Sequence, residues 1–261
     1  MIKACIFDLG GTIVDRYSLT PFLSLRKIFC KKNIYITNDL IFKDMGMSKI
    51  DHIRKILFHP SVSQKWESLY DIPDENDIIC LMNDFNKIQM EYSTKIIDIL
   101  PETKDCIDSL QSNNILLGCT TGFNYDNMNI IRTKLNENDI YLDSYVSSTC
   151  INNTSRPYPH MIHKNMEQLN ITDPKTVIKL DDTAVGIQEG INAECINVGV
   201  AKWSAYMNIY TIDDAYYFHH QLHKEEMNER LIQSRKVLKE AGADYVIDSL
   251  EELPSLIQNI N

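Results

Sequence analysis

The opening stretch Ile2 to Asp15, IKACIFDLGGTIVD, constrains what this chain can fold into more than any other. Apolar residues crowd from Ile2 to Phe7, the composition of a short buried strand. The run stops at Asp8, and Gly10 and Gly11 then demand a turn. A carboxylate at the carboxyl end of a buried strand sits where open α/β sheets place their chemistry. The same residues also suit an ordinary strand and turn with a solvated Asp, so the rest of the chain must decide.

From Tyr17 to Asp98 no alternating strand pattern follows. The spacing is helical instead: Phe22, Leu23, Leu25 and Ile28; Ile50, Ile53, Ile56 and Leu57; Ile79, Leu81, Met82, Phe85 and Ile88. Pro60 and Pro73 punctuate these runs. After Pro101 strand and helix alternate. Strands are predicted at Ile115–Cys119, Tyr145–Val146, Val177–Leu180, Cys195–Val200 and Tyr245–Ile247. Helices are predicted at Thr103–Gln111, Asp126–Leu135, His160–Leu169, Ala184–Ala193, Asn228–Glu240 and Leu250–Ile260. Alternation of this kind argues for a parallel sheet covered on both faces. The expected fold is α/β: a doubly wound, Rossmann-like core of residues 1–16 and 99–261, with an all-helical cap of residues 17–98 inserted after the first strand.

A length of 261 residues suits a core with an inserted smaller domain. The net charge of −10, with no long basic run, argues against nucleic acid as a partner. No stretch approaches a membrane span. Seven cysteines are scattered singly without a CxxC pair, which fits neither a disulfide framework nor a zinc site. That usage suits a reducing compartment, and a cytoplasmic location is expected. Of the histidines, His219 and His220 are expected in a solvated loop.

Three strand ends and one loop bring polar groups to one rim: Asp8, Thr121, Asp182 and Arg156. Two carboxylates suit Mg²⁺, which prefers hard oxygens and few protein ligands. The guanidinium, with the Thr121 hydroxyl and the Gly122 amide, suits phosphoryl oxygens. One carboxylate remains to attack phosphorus. Asp181 is expected behind the metal or as the cap of the following helix.

In these residues the chain resembles the haloacid dehalogenase superfamily. Asp8-Leu9-Gly10-Gly11-Thr12, Thr121, Arg156 and Asp181-Asp182 match its four motifs in order. Within it, the phosphonoacetaldehyde hydrolases are the nearer match. Met45-Gly46-Met47-Ser48-Lys49-Ile50-Asp51-His52 is similar to their cap motif with an imine-forming lysine, and Arg156-Pro157-Tyr158-Pro159 and Ala241 to Ser249 are similar to other stretches of that family. Three positions depart from it: Gly186 replaces a further acidic residue near the metal, Phe123 a tyrosine, and Ser18 a cap-linker cysteine.

The resemblance implies cleavage of the phosphorus–carbon bond of phosphonoacetaldehyde. Asp8 would be the nucleophile, Lys49 the Schiff-base amine, and His52 the proton carrier. Met45, Thr121, Gly122 and Arg156 would hold the substrate, a small organophosphonate. Asp8, Asp182 and the Gly10 carbonyl would hold Mg²⁺, and a homodimer is implied. Most phosphatases of the superfamily carry a second Asp where Gly10 stands, to protonate a departing alcohol. A carbanion leaving group needs an electron sink instead, and Lys49 supplies one. Two alternatives stay open: a Mg-dependent phosphate monoesterase of the same fold, and a degenerate, non-catalytic member.

Overall fold

The computed structural model describes residues 1–151, 154–215 and 224–260; His219 and His220 lie outside them. Six strands form one sheet: β1 (Ala4–Phe7), β2 (Leu116–Thr121), β3 (Ser144–Ser147), β4 (Val177–Asp181), β5 (Ile196–Val200) and β6 (Tyr245–Ile247). Their order is β3-β2-β1-β4-β5-β6, and every pair is parallel. β1 therefore lies between β2 and β4, where the order reverses. In open α/β sheets the crevice beyond the carboxyl ends at such a point is the usual ligand site.

Alternation along the strands divides the packing between two faces. Cys5, Phe7, Leu117, Cys119, Ile178 and Leu180 point to one side, against α6 (Thr103–Ser112), α7 (Tyr125–Asn136) and α11 (Leu253–Ile260). Ala4, Ile6 and Val177 point to the other, which α8 (His160–Gln168), α9 (Ala184–Asn192) and α10 (Lys224–Glu240) cover. Observed and predicted boundaries differ by a residue or two, except that α10 starts earlier and Leu250–Glu252 is a 3₁₀ turn before α11.

Between β1 and α6 the chain is helical: α1 (Leu19–Cys30), α2 (Asn38–Phe42), α3 (Lys49–Leu57), α4 (Pro60–Glu67) and α5 (Glu75–Lys95). Phe22, Leu25, Ile28, Ile53, Leu57, Leu81 and Phe85 build its core. One helical position differs from expectation. Ile78 is buried and Ile79 is 54% exposed, because the stripe through Leu81, Phe85 and Ile88 runs back by threes and fours to Ile78. This core continues onto Trp203, Ala205 and Met207, so the helices share apolar surface with the segment that follows β5.

The segment entering α1 is strained. Asp15, Tyr17 and Ser18 have φ of 57°, 61° and 49°, a region non-glycine residues rarely visit. Local bonds hold them there. Asp15 accepts from the amide and hydroxyl of Thr20, the Tyr17 amide donates to the Trp203 carbonyl, and the Ser18 hydroxyl donates to Asp182. From Thr20 a buried chain of hydrogen bonds runs through Gln89 and Ser93 to Asn127 on α7. No helix among the described residues is long and apolar enough to cross a membrane. Cys5, Cys106, Cys119 and Cys195 are buried, while Cys30, Cys80 and Cys150 are exposed.

Candidate active site

Asp8, Thr121, Asp181 and Asp182 reach the crevice because a strand ends at or just before each of them. Asp8 follows β1, and its amide donates to the Leu180 carbonyl of β4 at 2.8 Å. The turn after it must be glycine at position 11. Gly11 has φ +74°, and a Cβ there would stand 2.3 Å from an Asp182 oxygen. Thr121 ends β2, and its hydroxyl accepts from the Phe123 amide at 3.1 Å. Asp181 ends β4 and Asp182 follows it. Thr183, not Asp181, caps α9: its hydroxyl accepts from the Gly186 amide, while Asp181 accepts from the amide and hydroxyl of Thr183.

Arg156 lies between β3 and α8, is 3% exposed, and is surrounded by acceptors. Its Nη2 donates to Asp8 Oδ1 at 2.7 Å and its Nε to Glu189 Oε2 at 2.8 Å; Nη1 lies 3.5 Å from Asp181 Oδ2. Lys179, on β4 and fully buried, pairs with Asp181 at 2.9 Å in a geometry that is not that of a hydrogen bond.

Asp8, Asp181 and Asp182 offer carboxylate oxygens within 4.8 Å of one another. Asp182 Oδ1 is buried and accepts no hydrogen bond from the described residues. A cluster of three buried carboxylates, one with an oxygen left unpaired, is a donor set suited to a hard divalent cation. The residues present therefore fit Mg²⁺.

The electrostatics agree. Burial pushes the carboxyls of Asp8 and Asp182 up, and neighbouring carboxylates add to it. Burial would also raise Asp181, but Arg156 and Lys179 outweigh it and hold it below the usual range. Clustered carboxylates that resist ionisation on their own await a cation.

The helical part of the chain supplies the roof. A cavity of about 30 Å³ is lined by Asp8, Gly10, Thr121, Gly122 and Arg156 below and by Met45 and Lys49 above. Lys49 is 6% exposed and is the first residue of α3. Burial, and to a lesser degree Arg156, lower its ammonium from 10.5 to about 8, against the opposing pull of Asp8 and Asp15. A cation at a helix N-terminus is also opposed by the helix dipole. The roof sits close. Gly46 has φ +94°, and a Cβ there would meet the Thr183 hydroxyl at 2.6 Å; one on Gly122 would meet the Met47 carbonyl at 3.1 Å.

Seven of the nine expected site residues thus line one cavity. The other two do not. Asp182 lies beside Asp8 in the acidic cluster. His52 is fully buried one turn along from Lys49, and neither ring nitrogen has a well-formed hydrogen bond among the described residues. Burial and the Lys49 charge lower its pKa well below the ordinary value, against an opposing backbone interaction at Ile41. The sequence reading missed Lys179 and Glu189. A lone lysine inside the apolar run Val177 to Leu180 was the available signal, because both faces of a central parallel strand are buried.

Residues 5–200 match the family model of the haloacid dehalogenase-like hydrolases. A phosphonoacetaldehyde hydrolase of Lactiplantibacillus plantarum is 32% identical over the whole chain and 97% of that protein. One of Paraburkholderia phytofirmans is 34% identical over 99% of the chain and 95% of that protein. The crystal structure of a phosphonoacetaldehyde hydrolase-like protein from Oleispira antarctica superposes with a TM-score of 0.92 at 28% identity, covering 99% of this chain and 92% of that one.

Proposed function

The chain belongs to the haloacid dehalogenase-like hydrolases, and from that premise we propose that it hydrolyses phosphonoacetaldehyde to acetaldehyde and phosphate. The observation that carries this is Lys49: a buried amine on the roof of the cavity that holds Asp8 and Arg156, with its pKa lowered to about 8. In this reading residues 17–98 are a cap that closes on a core of residues 1–16 and 99–261.

Lys49 attacks the aldehyde, and water leaves as the imine forms. Asp8 attacks phosphorus in line. The phosphorus–carbon bond breaks, and its electron pair moves through carbon to the iminium nitrogen, giving an enamine. Water cleaves the aspartyl phosphate, releasing phosphate and Asp8. The enamine takes a proton on carbon and is hydrolysed to acetaldehyde and free Lys49. Arg156, Thr121 and the Gly122 amide hold the phosphonyl oxygens, and Met45 packs on the carbon chain. His52, kept neutral, serves proton transfer near Lys49. Asp8, Asp182 and the Gly10 carbonyl would hold Mg²⁺, and Asp181 lies close enough to join them. When bound, the ion offsets charge on the phosphonyl group and on the attacking carboxylate. The gap at Gly10 suits this chemistry, because no alcohol departs.

Adding phosphonoacetaldehyde with borohydride and mapping the adduct by mass spectrometry tests the reading. Labelling at Lys49 is expected. Labelling elsewhere, or nowhere, overturns it. A phosphate monoesterase would instead turn over p-nitrophenyl phosphate undiminished in Lys49→Ala, and a non-catalytic protein would release phosphate from neither compound. A homodimer, as the resemblance implies, is tested by sedimentation.

A further inference from the structure

The catalytic scheme leaves two buried charged residues unused. Lys179 and Glu189 are both fully buried, on β4 and α9, behind the crevice rather than in it. Burying such charges is costly unless they are paired and hydrogen-bonded. Their partners converge on one atom, the hydroxyl oxygen of Thr120.

Thr120 Oγ1 lies 2.7 Å from Arg156 Nη2, 2.9 Å from Lys179 Nζ and 3.2 Å from Glu189 Oε2. A guanidinium and an ammonium can only donate, and a hydroxyl has two lone pairs and one hydrogen. The hydroxyl therefore accepts from both cations, and its single proton points to Glu189. The carboxylate also takes the Arg156 Nε proton at 2.8 Å and lies 3.6 Å from Lys179. With Nε held from behind, the guanidinium cannot turn about its Cδ–Nε bond. Its two terminal nitrogens stay aimed at the reacting side, Nη2 at Asp8 and Nη1 at Asp181. Lys179 holds Asp181 from the same side of the sheet.

We propose that Glu189, bonded directly to Nε, braced by the Thr120 hydroxyl and with Lys179 as counter-charge, is a positioning residue that fixes the Arg156 fork for phosphonyl oxygens. This deepens the proposed function and rests on it for the identity of the substrate, but not for the anion-binding role of Arg156. Glu189 touches no substrate and acts only through the guanidinium.

The test measures binding of inorganic phosphate to Mg²⁺-loaded protein by calorimetry, which needs no turnover. Glu189→Ala is expected to weaken phosphate binding by about tenfold or more, the scale on which outer partners of binding groups act. Glu189→Gln keeps an oxygen for the Nε proton and is expected to stay within about threefold of wild type, a rescue that mere loss of packing would not give. Thr120→Val keeps volume and removes the brace while leaving the Glu189–Nε bond, so it should weaken phosphate binding by about three- to tenfold, and it tests the network if the alanine variant does not fold. Borohydride trapping of acetaldehyde on Lys49, which involves no phosphonyl group, should be unaltered in Glu189→Gln and Thr120→Val. The proposal is overturned if phosphate affinity in Thr120→Val stays within twofold of wild type, or if Glu189→Gln falls as far as Glu189→Ala. Failure of the phosphonatase reading would show instead as absent Lys49 adducts with phosphate binding still dependent on Glu189.

Discussion

The carboxyl group of Asp181 fills the space that a side chain at position 186 would need. A Cβ on Gly186 would stand 1.9 Å from the Asp181 carboxyl carbon. Gly186→Ala should therefore drive Asp181 from Lys179 and Thr183, and Mg²⁺ affinity by calorimetry should fall about 10–100-fold. Gly186→Asp alone should fare as badly, whereas Asp181→Gly with Gly186→Asp should recover most of the loss by delivering a carboxylate from the helix instead. Wild-type affinity in Gly186→Ala would sink this account.

In the proposed reaction Lys49 sets a pH dependence. The attacking form is the neutral amine, and burial lowers the group from 10.5 to about 8. Below about pH 8 the rate of borohydride trapping should fall about tenfold per unit. The same shift has a stability cost that is present below the folded pKa, where a charged amine is buried, and is relieved as the pH rises through it. Lys49→Met should abolish trapping and raise Tm at pH 7. A flat trapping profile from pH 6 to 9 would contradict the lowered pKa.

Gly10 leaves room for the acid it lacks. A Cβ there would find Ser18, Asp15 and Phe123 atoms no nearer than 3.5 Å. Gly10→Asp should fold normally and raise p-nitrophenyl phosphate turnover, by up to about 10²–10⁴-fold if the new carboxyl reaches the leaving oxygen. An inactive, well-folded variant would show that the missing acid is not what restrains ester hydrolysis.

The acidic cluster should make the metal-free protein less stable than it could be. Burial and mutual repulsion raise Asp8 and Asp182, so the penalty is present at neutral pH and is relieved as the pH falls through the raised pKa values. Asp182→Asn should raise the metal-free Tm at pH 7. Wild-type protein should gain about 2.7 kcal/mol at Mg²⁺ a hundredfold above Kd. The variant should gain almost nothing. Equal Mg²⁺ stabilisation of both in differential scanning fluorimetry would remove Asp182 from the metal site.

The strand ends were legible because the apolar runs Ile2–Phe7 and Val177–Leu180 each stop at a carboxylate, and a parallel sheet aligns such stops. Lys49 was legible only through the residues around it, since one lysine on a helix carries no signal by itself. The Thr120 junction was not legible. It depends on Lys179 and Glu189 being brought ten positions apart in sequence to one oxygen, which only the packing of α9 on β4 decides. Asp181 was legible as an acid behind the metal or a helix cap, but its seat in the space beside Gly186 follows from packing that periodicity does not register.

In the proposed reaction the bare backbone of Gly46, seated against Thr183, would govern fidelity as much as fit. An alanine there would leave the roof ajar by the width of a methyl group. Solvent could then reach the iminium carbon ahead of the aspartate, and each premature hydrolysis would return intact phosphonoacetaldehyde. Such an enzyme would idle, forming and losing its adduct without ever parting carbon from phosphorus.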